Sequence, residues 1–178
     1  MASATTTIRP ERRDDAGAID GVHRAAFGRP DEGRVVERLR ARAHAYLGLV
    51  AVDGDEVVGH VVFSAVTLHC YQAPYSIMAL APMAVLPRWQ RRGVGSALVR
   101  EGLQACRAGG HDVVVVVGDA SFYPRFGFVR ARPLGLMSEL PVPDEAFMVA
   151  ELTPGALRGR RGVVLYGSDF GASSPDCS

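Results

Sequence analysis

Seven consecutive residues, Gln90-Arg91-Arg92-Gly93-Val94-Gly95-Ser96, set two guanidinium groups beside two glycines at the start of a helix-compatible run. N–H groups in a helix's first turn lack intrahelical acceptors, and the macrodipole adds roughly half a positive charge there, so an anion can be held without any side chain. Gly93 and Gly95 leave room for phosphate oxygens to reach the main chain, and Gly permits the positive φ that turns successive amides inward. Arg91 and Arg92 can add charge-assisted bonds from a fork that matches phosphate. The chemistry this spacing predicts is capture of an anionic cofactor. A bare Gly-x-Gly is also compatible with a plain helix start.

The flanks decide where such a loop would sit. From Gly93 to Arg107, Val94, Leu98, Gly102 and Ala105 fall on one helix face, while Arg100, Glu101, Gln104 and Arg107 gather on the other. Upstream, the run from Ile77 to Val85 is almost wholly apolar, and downstream Asp112 to Val117 is rich in β-branched residues, so both read as buried strands. Strand, loop, helix and strand form a βαβ unit, in which ligands bind outside the carboxyl end of the first strand. Two nucleotide-binding patterns do not fit. A P-loop needs a lysine, and the chain has none; a dinucleotide fingerprint needs a third glycine where Leu98 stands.

With these elements in place, the segment from Leu80 to Pro87 followed by Gln90 to Leu98 resembles the acetyl-CoA motif of the GNAT superfamily of N-acetyltransferases. A second block, Gly118-Asp119-Ala120-Ser121-Phe122-Tyr123-Pro124-Arg125-Phe126-Gly127-Phe128, resembles that superfamily's last helix and the strand after it. Together with Val142 to Met148, its spacing is similar to the predicted N-acetyltransferases of the YhbS-like branch. The resemblance runs from about Thr7 to about Phe170. It implies an α/β, GNAT-like acyl-CoA N-acyltransferase fold, with a central mixed, mostly antiparallel sheet flanked by helices. It implies further that the backbone of Met83, Ala84 and Val85 pairs with the pantetheine arm and acetyl carbonyl like an added strand. The amides of Gln90, Arg91, Arg92, Gly93, Val94, Gly95 and Ser96 would take the pyrophosphate. Tyr123 matches the tyrosine that protonates the departing CoA thiolate, although packing between Phe122 and Phe126 is the alternative reading of the same residue. The family's asparagine early in the last helix is absent here, and Asp119 receives no role.

Length and composition bound the rest. At 178 residues the chain suits one substantial core, and the expected organisation is a single domain over 1–170 with a loose Ser-, Gly- and Pro-rich tail over 171–178. No apolar run approaches the ~20 residues of a membrane-spanning helix, and the first residues lack the basic start and apolar stretch of a secretory signal. Cys70, Cys106 and Cys177 are unpatterned, which argues against a disulfide framework and a metal site and fits a reducing cytoplasm. All 20 basic residues are arginine, yet net charge is only +1 and the signs are interspersed, so neither nucleic acid nor membrane is an expected partner. A homodimer is compatible with the sequence, which specifies no surface for it.

Elsewhere, Thr6 to Arg9 reads as a strand, and Asp14 or Asp15 can cap a helix ending near Phe27. Asp31 opens another helix with Val35, Val36 and Leu39 inward. Tyr46 to Val52 and Glu56 to Leu68 form a hairpin around Asp53-Gly54-Asp55, followed by a connection from Leu68 to Tyr75. Pro133 to Pro143 reads as loop, and strands follow over Ala146 to Leu152 and Gly162 to Tyr166.

The function expected is transfer of acetyl from acetyl-CoA to a primary amine of a small molecule or protein, with acetyl-CoA as cosubstrate and no metal. The alternative is a noncatalytic acyl-CoA-binding sensor or interaction module. A general base is not fixed by any motif, and Glu32, Glu37, His60 and His69 all remain candidates.

Overall fold

The computed structural model describes residues 6–170, so the expected tail over 171–178, Cys177 and the first five residues lie outside the described residues. Nine strands form one mixed sheet. They are β1 (Thr7–Pro10), β2 (Tyr46–Asp53), β3 (Glu56–Cys70), β4 (Pro74–Val85), β5 (Val113–Val117), β6 (Val129–Arg130), β7 (Leu136–Ser138), β8 (Phe147–Glu151) and β9 (Gly162–Leu165), in the spatial order β1-β2-β3-β4-β5-β8-β6. Most pairings are antiparallel; β4 with β5 and β7 with β9 are parallel. The helices are α1 (Ala16–Phe27), α2 (Asp31–Arg42) and α3 (Val94–Ala108).

The 15-residue β3 is the spine of the sheet. One edge pairs with β4 along almost its full length; the other pairs first with β2 and then, beyond Ser64, with β9. Successive side chains alternate between faces. Phe63 therefore packs toward α3, against Gly102, while His60 points the other way and meets His23 of α1. Four of the five valines of β5 divide in the same manner, Val114 and Val116 joining the helix-covered core and Val113 and Val115 a second core beneath the C-terminal strands, while Val117 at the strand's end is exposed. Burial on both faces is why this strand is continuously apolar rather than alternating.

Several local expectations change. Asp15 makes no side-chain cap on α1: its carboxylate turns back to accept the Arg9 guanidinium at 2.7 and 2.9 Å and the Arg12 N–H at 2.6 Å, so both oxygens are already engaged. The expected connection from Leu68 to Tyr75 is mostly strand, leaving Tyr71-Gln72-Ala73 as the hairpin tip. Within the expected loop from Pro133 to Pro143, Leu136–Ser138 is a strand, because Leu136 is fully buried and β9 supplies an open edge to pair with. In α3 the inward face is carried by Leu98, Val99, Gly102, Leu103 and Cys106, with Ala105 only half-buried.

Beneath α1 and α2 runs a buried polar chain. The Glu11 carboxylate accepts from His60 Nε2 at 2.6 Å, Arg40 Nε at 2.7 Å and the Tyr46 hydroxyl at 3.0 Å. Because His60 Nε2 donates to that carboxylate, its Nδ1 is left to accept from His23 Nε2–H at 2.9 Å, which leaves both rings neutral. Burial pushes His23 down to about 4, with His60 adding to the fall and Glu32, Asp20 and Glu11 opposing it. Burial raises the Glu11 carboxyl, but the bonds from His60 and Arg40 outweigh it and bring the group down to about 2.

A base whose folded pKa is depressed favours the unfolded chain once that chain binds the proton, so the His23 contribution is complete above about 6.5 and is lost as pH falls from 6.5 toward 4. The carboxylate contribution of Glu11 is lost lower, from its usual 4.5 toward 2. Urea unfolding at pH 7.0, 5.5 and 4.5 is expected to show a stability loss on the order of 2 to 3 kcal/mol across the His23 window. His23→Gln should flatten that slope, and an unchanged slope would separate the acid sensitivity from this residue.

Candidate active site

β4 pairs with β5 through only three residue pairs, Met78 with Val114, Ala79 with Val115 and Leu80 with Val116. Past that point the strands part. In the same place the β3–β4 register jumps from Phe63 with Leu80 to Val61 with Met83, so Ala81 and Pro82 together face Val62, a bulge that bends β4 away. Main-chain groups of Met83, Ala84 and Val85 on the side facing β5 are thereby left without a strand partner, and an extended ligand can supply one.

A cavity of about 650 Å³ fills this gap, and its lining runs from Met83, Ala84 and Val85 through Gln90, Arg91, Gly93, Gly95 and Ser96 to Gly118, Asp119, Phe122, Tyr123 and Arg125. One wall is the loop into α3. After β4 the chain makes a 3-10 turn at Pro87–Trp89, and Gln90 Nε2 ties it back to the Val85 carbonyl at 3.1 Å. Arg88 pairs with Glu56 outside the cavity lining. Arg91 has φ of 58° and Gly93 of 86°, so the loop curls through two left-handed residues before the helix begins. The first intrahelical bond of α3 runs from Ala97 N to Gly93 O at 2.9 Å, and no side chain caps the turn. The N–H groups ahead of Ala97 therefore face the cavity's mouth without helical acceptors, the arrangement that stabilises an anion.

The opposite wall was expected to be a helix and is a turn. Asp119 organises it: its carboxylate accepts from Ser121 N and Oγ, each at 2.7 Å, and its carbonyl accepts from Phe122 N at 3.0 Å. Pro124 removes one amide and Gly127, at φ 94°, ends the 3-10 segment Tyr123–Phe126, which is why no α-helix grows. Tyr123 is almost fully buried, edge-on to Phe122 and Phe128. Burial, followed by the charge of Asp119, pushes its phenol up to about 12, so it is held protonated at neutral pH. A Cβ at Gly118 would overlap the Tyr123 ring, so this glycine is what lets the ring lie against the end of β5.

The structure brings Met83, Ala84, Val85, Gln90, Arg91, Gly93, Gly95, Ser96 and Tyr123 into one cavity. Two other expected site residues lie outside its lining. The Arg92 guanidinium sits over the Trp89 ring, 5.4 Å from its centroid, and the Val94 side chain is buried in the core. Any part they have in binding falls to their amides. Phe122 and Arg125 line the cavity without having been expected to, since sequence offers no sign of which residues of an irregular turn face inward. None of the four candidate bases lines it. His60 is fully buried and committed to Glu11 and His23, Glu32 pairs with Arg29 at 2.7 Å, Glu37 lies exposed on α2, and His69 lies exposed near the distal hairpin tip.

Residues 7–131 match the family model described as an acetyltransferase (GNAT) domain. The N-acetyltransferase YhbS of Escherichia coli K12 is 36% identical over 164 residues, spanning 92% of this chain and 97% of the relative. The crystal structure of E. coli YhbS in complex with CoA superposes with a TM-score of 0.88 at 33% identity, covering 98% of this chain and 96% of that one. A GNAT family acetyltransferase from Brucella melitensis, solved with acetyl-CoA, gives 0.76 at 34% identity, with 94% and 99% covered.

The two glycines facing each other across the cavity should respond oppositely to a methyl group. Gly118→Ala must displace the Tyr123 ring and is expected to cost about 1 to 3 kcal/mol in urea unfolding. At Gly95 the nearest atom to an added Cβ is Phe122 Cζ at 3.7 Å, so Gly95→Ala should leave stability unchanged or raise it by up to about 1 kcal/mol.

Proposed function

The chain belongs to the GNAT acetyltransferase family, and from that premise we propose that it transfers acetyl from acetyl-CoA to a primary amine of a small molecule or a protein, by direct attack in a ternary complex. The observation carrying this reading is the convergence of an unpaired β4 edge, an uncapped helix N-terminus and a protonated phenol on one cavity. In it, the main chain of Met83, Ala84 and Val85 hydrogen-bonds the pantetheine arm and thioester carbonyl as an added strand. Amides from Gln90 to Ser96 hold the pyrophosphate against the α3 dipole.

The amine lone pair attacks the thioester carbon, the C–S bond breaks as the sulfur takes the proton of Tyr123 Oη, the acylated nitrogen releases its surplus proton to water, and the Tyr123 phenolate is reprotonated from solvent. A phenol held near 12 keeps that proton until a stronger local base arrives. The burial that raises the phenol also disfavours a thiolate expelled beside it, which offsets part of the gap in acidity between the two. No acyl-enzyme step is invoked. Cys70 and Cys106 are both buried away from the cavity lining, and burial pushes the Cys106 thiol up to about 12, far from a reactive thiolate.

Among the described lining residues Asp119 is the only carboxylate, and the bonds from Ser121 lower its pKa, making it a poor base. The incoming amine therefore has to arrive neutral or lose its proton to water. At pH 7 that costs a lysine-like amine about 4.6 kcal/mol and an α-amino group about 1.4 kcal/mol, so amines of low pKa are the better acceptors.

Tyr123→Phe should lower kcat more than tenfold while leaving acetyl-CoA affinity nearly intact; unchanged kcat at saturating substrate removes Tyr123 as the acid. Gly95→Glu drives a carboxylate into the cavity and should abolish acetyl-CoA binding in calorimetry while the protein stays folded by circular dichroism. Retained affinity would move the phosphate site elsewhere. Thiol release across an amine panel completes the test, since acetyl-CoA binding without turnover on any amine would favour the noncatalytic sensor.

A further inference from the structure

The cavity's two walls are unequal in what they offer an anion. On the loop wall the α3 amides and Arg91 converge. On the turn wall one cation lines the cavity, Arg125. Its guanidinium carbon lies 4.9 Å from the centre of the Phe122 ring, and its one hydrogen bond within the protein is a long one, from Nη2 to the Ser121 carbonyl at 3.4 Å. Among the described residues it forms no salt bridge, although Arg9, Arg24, Arg29, Arg40 and Arg132 all have carboxylates within 3 Å. A guanidinium stacked on a ring keeps its in-plane N–H donors free, and among the described residues only the long bond to Ser121 uses them. The ring beneath it reaches across the cavity, since Phe122 Cζ is the nearest neighbour of the Cβ position of Gly95 in the first turn of α3. Arg125 is thus one ring's width from the helix terminus that receives the anion.

We propose that Arg125 takes a phosphate of the acetyl donor from the wall opposite the loop, and so makes the protein select phosphorylated donors over a bare pantetheine thioester. This rests on the acetyl-CoA reading above and adds to it a second, side-chain contribution to donor choice. The α3 amides bind an anion wherever the dipole reaches, whereas a fork on a stacked ring binds in one direction and fixes the donor across the channel. Phe122 serves as the platform, and its other edge contacts, to Tyr123 at 5.0 Å and Phe126 at 5.1 Å between centroids, hold that platform still.

Three donors distinguish the phosphates: acetyl-CoA, 3′-dephospho-acetyl-CoA and S-acetyl-pantetheine, each titrated against wild type, Arg125→Ala and Arg125→Lys. Arg125→Ala is expected to weaken acetyl-CoA about tenfold, the size of one lost charge-assisted bond, with partial recovery in Arg125→Lys. If the penalty vanishes on the dephospho donor, the partner is the 3′-phosphate; if it persists there and vanishes on S-acetyl-pantetheine, the partner is the pyrophosphate. Either pattern supports the proposal. A penalty equal on all three donors means Arg125 acts only by steadying Phe122, and acetyl-CoA affinity within twofold of wild type means it does not act at all; both overturn it. Failure of wild type itself to bind acetyl-CoA is a different result and overturns the donor assignment first.

Discussion

The candidate site exists because β4 and β5 stay together for three residue pairs and no more. Parallel strands that continued side by side would satisfy each other's main chain and leave no room between them. The bulge at Ala81-Pro82 prevents this by adding a residue to β4 where β3 has none to spare, bending the strand while its other edge stays paired to β3. The free edge of β4 is therefore held on one side by β3 and open on the other, which keeps an unpaired backbone in place without letting it collapse.

The second constraint is how the other face of β3 is covered. Glu11 receives donors from β2, β3 and α2, and through His60 it reaches α1 as well. A Cβ at Gly48 would occupy the place of the Glu11 carboxylate, so a missing side chain on β2 makes room for the charge that fastens both helices. A buried carboxylate is stable only when donors compensate its lost hydration, and Glu11 has three of them. His60 stands opposite Ala84 in the β3–β4 register, so the network lies directly behind the strand whose free edge faces the cavity. His60 reads as a possible base in sequence because histidine is chemically suitable; its place in the fold makes it a fastening instead.

How much was legible divides along the range of the interactions. The loop from Gln90 to Ser96, the strands around it and α3 were readable because they are contiguous and obey local rules of periodicity and helix ends. Residue patterns in Gly118 to Phe128 pointed to a family element, yet the element is a turn, since Pro124 and Gly127 break what the pattern alone suggests. The chain from Glu11 to His23 could not be read, because its members are 49 and 37 residues apart and only strand register brings them together. The same holds for the parting of β4 from β5, which is a fact about where two distant runs stop pairing. Arg125 was invisible for another reason: facing a cavity is a property of a turn's backbone path.

β8 carries a burden that its position late in the chain conceals. It pairs with all five residues of β5, from Val113 with Glu151 to Val117 with Phe147, although β5 is made some thirty residues earlier. Until Phe147–Glu151 arrives, the outer edge of a pure valine strand is bare, uncharged and flat, the kind of template on which chains stack edge to edge. The matched family region ends at 131, before β8. The part of the chain beyond it thus covers that edge, and a fragment cut to that region would keep the loop, the turn and Tyr123 while leaving the outer edge of β5 unpaired.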